Sequence, residues 1–315
     1  ILRVFALQEE TLLIGGPTGV GKSRLARWCH EQSPRRRGPF EALDLSSVPE
    51  TLQLAELFGW KKGAFTDATQ DTLGAVGRAE GGTLFIDEVD KLSLKAQAGL
   101  LHLLEERRYR PLGDRGKERE ANVRYVIGTN ANLQTSVREG RFREDLYFRI
   151  NVLPVKVPPL SERRDELIPW ARYMLKRRHG LTSGSASLAP EAETILRGQQ
   201  WPGNLRQLDN IIRRAYALRT LEPQADDGSL TIGPQHVEKA LQWEIWPGQS
   251  RQASELLMEA ADLFVLSAQR GPRDLDLAEG FRGFILAAAI QRLGDREAAF
   301  RLLGKDQLVK NRNHQ

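Results

Sequence analysis

The chain is 315 residues long, 40% hydrophobic and 28% charged, with a formal net charge of +5 and a pI near 9.4. Its length predicts about two domains with room for a small third, and its composition is that of an ordinary folded protein rather than a fibrous or disordered one. No run approaches the roughly 18 apolar residues of a membrane span, and the single cysteine, Cys29, excludes an intramolecular disulfide and a cysteine-based metal site, so a cytoplasmic, reducing compartment is expected.

The opening "ILRVFALQEE" has no basic n-region, no cleavable small-residue site and no initiator Met. It is expected to lead almost directly into a strand, as an excised piece of a longer protein would. "TLLIGG" (Thr11 to Gly16) reads as a buried strand, and "GKSRLARWCHEQ" as the helix after it. Further strands are expected at "FEALDL" (Phe40 to Leu45), "GGTLFIDE" (Gly81 to Glu88), "NVRYVIGTN" (Asn122 to Asn130) and "NVLPVKV" (Asn151 to Val157), with a helix at "LKAQAGLLHLLEER". Strands alternating with helices predict an α/β fold with a mostly parallel sheet between helices. After Leu160 no convincing strand follows. Helices are expected near Ser161–His179, Pro190–Gly198, Asn204–Thr220 and Pro234–Trp243, separated by the loops "LTSGSAS" and "EPQADDGS". The expected division is an α/β core at 1–160, a helical subdomain at 161–245, a linker at 246–275 and a small all-α tail at 276–315.

"GGPTGVGKS" holds Gly16-x-x-x-x-Gly21-Lys22-Ser23 directly after a strand and at the start of a helix. In that setting the backbone N–H groups of Gly16, Pro17, Thr18, Gly19, Val20 and Gly21 (Pro17 excepted, which has none) form a loop that can cradle phosphate oxygens at the helix N-terminus. Lys22 would reach the β- and γ-phosphates of ATP, and the Ser23 hydroxyl would ligate Mg²⁺. The apolar strand ending in Asp87-Glu88 is the matching half: Asp87 would hold Mg²⁺ and Glu88 would polarise the attacking water. Asn130, at the end of "IGTN", could orient that water or sense the γ-phosphate; it is also a common strand-end turn residue. "GRFREDLYFRIN" carries Arg141, Arg143 and Arg149. Such arginines can stabilise a transferring phosphoryl group, even from a neighbouring subunit, or they can be surface salt-bridge partners. Arg206, in the first turn of the helix after "WPG", suits a basic contact to the nucleotide or a plain surface position.

"ELFGWKKGAFTDA" lies between these two halves. Taken in order with the phosphate loop, "GGTLFIDE", "GTN", "GRFREDLYFRINVLPVKVPPLSERRDEL" and "WPGNLRQLDN", it closely resembles the central AAA+ ATPase domain of sigma-54-dependent transcriptional activators, from about Leu2 to Trp243. The resemblance implies Walker A residues Lys22 and Ser23, Walker B residues Asp87 and Glu88, sensor I Asn130, trans-acting arginine fingers Arg143 and Arg149, and sensor II Arg206. It implies a P-loop core with a helical lid, and a homo-oligomer that passes from dimer to hexameric ring. It also implies that Gly63, Ala64, Phe65, Thr66, Asp67 and Ala68 form a surface loop that presses on sigma-54 in the RNA polymerase holoenzyme, so that ATP hydrolysis opens the promoter. A regulatory domain would precede Ile1.

Two positions depart from the family. Asp67 stands where the loop usually has a second glycine, which removes freedom at positive φ and adds a charge. Asp44 stands where the family has an Asn thought to restrain the Walker B Glu, and a carboxylate cannot donate that bond. These departures keep open a remodeller of another protein client. A DNA-binding nucleotide sensor with weak turnover is a third reading. The tail "FRGFILAAAIQRLGDREAAFRLLGKDQLVKNRNHQ" has helix-turn-helix spacing and resembles the family's C-terminal DNA-binding module, with Lys305, Lys310 and Arg312 toward DNA; a packing or dimerisation tail is the alternative.

Overall fold

In a computed structural model the described residues are 2–180, 185–222 and 229–243, and they lie within one compact unit spanning residues 1–244. The expected linker, the helix-turn-helix and its Lys305, Lys310 and Arg312 fall outside them.

The chain opens with α1 (Leu2–Ala6), β1 (Leu12–Gly15), α2 (Lys22–Glu31), β2 (Phe40–Asp44) and α3 (Gln53–Phe58). A short hairpin follows, β3 (Gly59–Trp60) with β4 (Thr72–Leu73), then α4 (Ala75–Arg78), β5 (Thr83–Asp87) and α5 (Leu94–Glu106). A second hairpin, β6 (Arg108–Tyr109) with β7 (Arg119–Glu120), precedes β8 (Arg124–Thr129), α6 (Leu133–Arg138), α7 (Glu144–Ile150) and β9 (Leu153–Lys156). The rest comprises α8 (Leu167–His179), β10 (Ala186–Leu188), α9 (Pro190–Gly198), α10 (Asn204–Thr220), β11 (Leu230–Ile232) and α11 (Pro234–Gln242).

Five strands form one parallel sheet in the order β2-β5-β8-β1-β9. Successive side chains of a strand point to opposite faces, and the core divides accordingly. Leu13, Leu43, Leu84, Ile86 and Ile127 pack on one face against α5 and α7 residues such as Leu100, Leu104 and Leu146. Leu12, Ile14, Phe85 and Val126 pack on the other with Ala26 and Cys29 of α2. Both faces are covered, so these strands read as continuous apolar runs. Ser93 caps α5 by accepting from the Ala96 N–H at 3.3 Å, and Asn132 caps α6 by accepting from the Thr135 N–H at 3.2 Å. Pro190 and Pro234 occupy first-turn positions of α9 and α11.

The expected α/β core and helical lid are both present. The lid helices have their own core, including Leu175, Leu196, Leu208, Ile211, Ile212 and Val237. Two expectations need correction. The first element is the five-residue helix α1, not a strand. The lid contains a parallel strand pair, Ala186–Leu188 against Leu230–Ile232. Three-residue strands are too short to establish an alternating pattern, and their partners lie 44 positions apart in sequence. The two small hairpins were hidden for the same reason. Among the described residues no helix is long and apolar enough to cross a membrane.

Cys29 is fully buried, and burial pushes its thiol up to about 11, with the nearby Arg124 charge opposing. Only the thiolate is reactive. At pH 8 native protein should therefore react with a colorimetric thiol reagent at least about a hundredfold more slowly than free cysteine, and fully once unfolded in denaturant. Fast reaction of the native protein would contradict this packing.

Candidate functional site

The parallel register carries the ends of β1, β5 and β8 to one edge of the sheet, where ligands of open α/β folds bind. The loop from Gly16 to Gly21 leaves β1 there and turns into α2. The Gly16 N–H donates to the Thr129 carbonyl at 3.1 Å, tying the loop to β8. Gly19 has φ +80° and lies so close to Gly203 that an added Cβ would sit 2.3 Å from its carbonyl oxygen. Lys22 is buried, and its Nζ donates to the Gly16 carbonyl at 3.0 Å.

Asp87 ends β5 beside this loop. The Ser23 hydroxyl donates to Asp87 Oδ2 at 3.2 Å, and the Glu88 N–H donates to Oδ1 at 3.0 Å. A Cβ on Gly128 of β8 would stand 2.4 Å from Oδ1, so the missing side chain there makes room for the carboxylate. Glu88 itself adopts φ +57°, a conformation uncommon outside glycine. Its carboxylate accepts from Asn130 Nδ2 at 3.0 Å, and the same amide donates to Thr18 Oγ1 at 3.2 Å. Burial pushes the Glu88 carboxyl above the usual glutamate range; Lys22 opposes the shift, while Asp90 and Asp87 add to it. A partly desolvated carboxylate with a raised pKa is a better proton acceptor than an ordinary glutamate.

Lys22, Ser23, Asp87, Glu88 and Asn130 are thus brought together. Asp44 does not join them as a partner of Glu88. It pairs in register with Asp87 across β2 and β5, but its Oδ1 accepts from the Ser46 N–H at 2.9 Å and the Ser46 hydroxyl at 2.6 Å. The carboxylate caps a turn of its own chain, and the amide that reaches Glu88 comes from Asn130.

The lid closes over the loop. Asn204, nearly fully buried at φ +52°, donates from Nδ2 to the Thr18 carbonyl at 3.0 Å and accepts from the Leu160 N–H at 2.7 Å. Arg163 donates to the Val20 carbonyl at 2.9 Å, and the Arg206 N–H donates to the Gly19 carbonyl at 3.3 Å. Between loop and lid lies a cavity of about 830 Å³ lined by Lys22, Ser23, Asp87 and Glu88 on one side and Arg177, Arg178, Arg206, Asp209 and Arg213 on the other. Asp209 binds both Arg178 at 2.6 Å and Arg213 at 2.9 Å. An adjoining apolar recess of about 340 Å³ is lined by residues including Leu2, Val20, Leu25, Trp28, Val157 and Leu205.

Sequence reasoning found Arg206 and missed Asn204, Arg163 and the other lid cations. The spacing of Arg206, Asp209 and Arg213 at i, i+3 and i+7 is a signal that would have placed them on one helix face. No sequence period could have reported that Asn204 and Arg163 bind backbone carbonyls of a loop more than 140 residues earlier.

Arg141, Arg143 and Arg149 do not line the cavity. Arg143 is held by Asp145 through two bonds, at 3.0 and 2.7 Å; Arg149 donates to the Leu104 carbonyl at 2.8 Å; Arg141 pairs with Glu139. The buried Gln97, also missed, fixes this segment by accepting from the Arg143 N–H and donating to the Arg141 carbonyl.

The segment Gly63 to Ala68 sits between β3 and β4. Gly63 has φ +81°, and its N–H donates to the Ala68 carbonyl at 2.8 Å, which closes the loop. Asp67 is exposed and is not at positive φ, so this loop geometry does not require a glycine there. The Phe65 ring rests half-buried on Trp60 at 5.5 Å, and Lys61 pairs with Asp71 at 2.6 Å across the loop base.

Residues 1–156 match the Sigma-54 interaction domain, and residues 161–244 match the AAA+ ATPase lid domain. A protein named limonene hydroxylase from Geobacillus stearothermophilus is 42% identical over 240 residues, covering 74% of this chain and 42% of that protein. The DNA-binding transcriptional regulator NtrC of Rhizobium meliloti (strain 1021) is 40% identical over 221 residues, covering 69% of this chain and 46% of that protein. Solved structures of NtrX from Brucella abortus in complex with ADP and with ATP share 27% identity with TM-scores of 0.66 and 0.65. They cover 99% of this chain and 65% and 64% of theirs. The chain therefore spans less than half the length of these curated relatives.

Replacing Asn204 by Ala strands the Leu160 N–H and the Thr18 carbonyl and leaves a side chain at positive φ. A loss of about 3 kcal/mol in urea unfolding is expected. Asn204→Gly, which relieves the backbone, should still lose about 2 kcal/mol; a change below experimental error in both would remove Asn204 as the link between loop and lid.

Proposed function

We propose that this chain, which belongs to the AAA+ ATPases of the Sigma-54 interaction domain family, binds ATP between core and lid, hydrolyses it, and uses the cycle to remodel the sigma-54 RNA polymerase holoenzyme at a promoter. The observation that carries this is the convergence of Lys22, Ser23, Asp87, Glu88 and Asn130 at the mouth of one cavity roofed by Arg206.

The phosphates of ATP would lie along the loop N–H groups, with Lys22 against the β- and γ-oxygens and Arg206 approaching from the lid. The apolar recess beside Val20, Val157 and Leu205 suits the adenine ring. The Ser23 hydroxyl and the Asp87 carboxylate, 3.2 Å apart, offer the hard oxygen donors that Mg²⁺ takes. When bound, Mg²⁺ would neutralise charge that develops on the transferring phosphoryl group and its leaving group. Glu88 would then accept a proton from the water that attacks the γ-phosphorus, and Asn130 would hold the Glu88 carboxylate in place. ADP leaves with the cleaved bond electrons on its β-phosphate.

Arg143 and Arg149 would act on the site of a second copy, since neither lines the cavity of its own chain. That requirement supports a ring assembly in which each site is completed by its neighbour. Phe65 and Thr66, carried on the closed loop, would form the surface offered to sigma-54. The tail would add DNA binding, and the cytoplasm would be the place of action.

Glu88→Gln should keep ATP binding and lower steady-state phosphate release by about 10² to 10⁴, while Lys22→Ala should lose nucleotide binding. An active Glu88→Gln protein would remove Glu88 as the base. Arg143→Ala and Lys22→Ala, each inactive alone, should regain turnover when mixed, because intact fingers then meet intact loops; no recovery would argue against supply in trans. Crosslinking to sigma-54 with a transition-state ATP analogue should succeed and be lost in Phe65→Ala. Failure in both the unaltered protein and Asp67→Gly would favour another protein client.

A further inference from the structure

The adenine recess has one wall that comes from the first element of the chain, at the margin of the core. Leu2, the first residue of α1, lines it. A five-residue helix is far too short to hold itself together in water, so α1 is fixed from outside. Ala6 is buried in the core with Leu2 and Phe5 packed against the same cluster, and the C-terminal carbonyls of the helix add a polar tie. Arg124, the first residue of β8, donates from Nη1 to the Ala6 carbonyl at 2.7 Å and from Nη2 to the Phe5 carbonyl at 2.6 Å. These are carbonyls that a helix end leaves without an intrahelical donor, and they are met by a cation, the sign that suits the C-terminus.

Arg124 is an unusual residue to find there. It is fully buried, forms no ion pair with a carboxylate among the described residues, and its Nε has no hydrogen-bond partner. Buried arginines ordinarily have a carboxylate partner. A second arginine fastens the chain beyond the helix: Arg35 pairs with Glu9 at 2.7 Å and donates to the Asn122 carbonyl at 2.8 Å. Residues 2 to 9 are thus stapled to the base of β8, the strand whose other end carries Thr129 and Asn130.

We infer that Arg124 is a positioning residue for the nucleotide base: by pinning α1 it sets the Leu2 wall of the adenine recess. This rests on the reading that the site binds ATP. The ligand class it governs is the planar base, and the phosphate contacts at Lys22 and Ser23 are independent of it.

Titration calorimetry with Mg²⁺ present separates the two, using ATP and inorganic tripolyphosphate as probes. Arg124→Gln should weaken ATP about tenfold and change tripolyphosphate less than twofold, with Arg124→Lys recovering part of the loss. The same variants should raise KM for ATP with little effect on kcat. Leu2→Ala should reproduce the selective loss with the buried cation untouched, so the inference stands or falls even where Arg124→Gln does not fold. Equal weakening of both probes, or an unchanged ATP affinity in Leu2→Ala, would overturn it. Unaltered protein that binds tripolyphosphate but not ATP would instead overturn the adenine reading itself, and this inference with it.

Discussion

Everything at the site depends on five strands running the same way. Ile86 lies opposite Ile127, and Gly15 opposite Thr129, so β5, β8 and β1 end at one edge of the sheet. That register puts Asp87 and Glu88 next to the phosphate loop and brings Asn130 over both. Antiparallel pairing of any central strand would send its terminal polar residue to the opposite edge. The arrangement is held by apolar packing on both faces rather than by polar contacts at the edge, so polar groups there can be set by function. Two signs of that freedom are the positive φ of Glu88 and the space left for the Asp87 carboxylate by Gly128.

The second constraint is the seam between loop and lid. Asn204, Arg163 and the Arg206 backbone all bind carbonyls of Thr18, Val20 and Gly19. The lid therefore reads the conformation of the phosphate loop directly, through groups that touch its backbone. The cations above the cavity are arranged around Asp209, which orients Arg178 and Arg213 and leaves the wall strongly positive. A polyphosphate would meet fixed donors below and a positive wall above, in a partly water-excluded space where such charges interact more strongly than in bulk water.

The conspicuous loop from Gly63 to Ala68 and the three arginines after Gly140 stand apart from this seam. The loop is closed by its own backbone bond, braced by Lys61 and Asp71, with its aromatic resting on Trp60. Asp67 does not occupy the region of φ that would make glycine necessary, and its carboxylate places a charge at an exposed position. Arg143 and Arg149 are bound to Asp145 and to a backbone carbonyl, away from the cavity of their own chain. Neither feature lines the cavity.

The sequence alone determined the α/β core, the helical lid, the phosphate loop and its acidic partner strand. Each rests on a local signal: a run of apolar residues, a helical period, a glycine-rich turn between strand and helix. It also pointed to Asn130, because that residue ends a strand. Only the tertiary structure decided which partner each polar group takes. Asp44 spends its carboxylate on Ser46, Asn130 reaches Glu88, Asn204 crosses to Thr18, and Arg124 holds the end of α1. The physical reason is that a polar side chain bonds whatever group the fold brings within reach, two positions away for Asp44 and Ser46 or 186 for Asn204 and Thr18. Periodicity reports which face of an element is apolar and does not report which of several polar groups a side chain will meet.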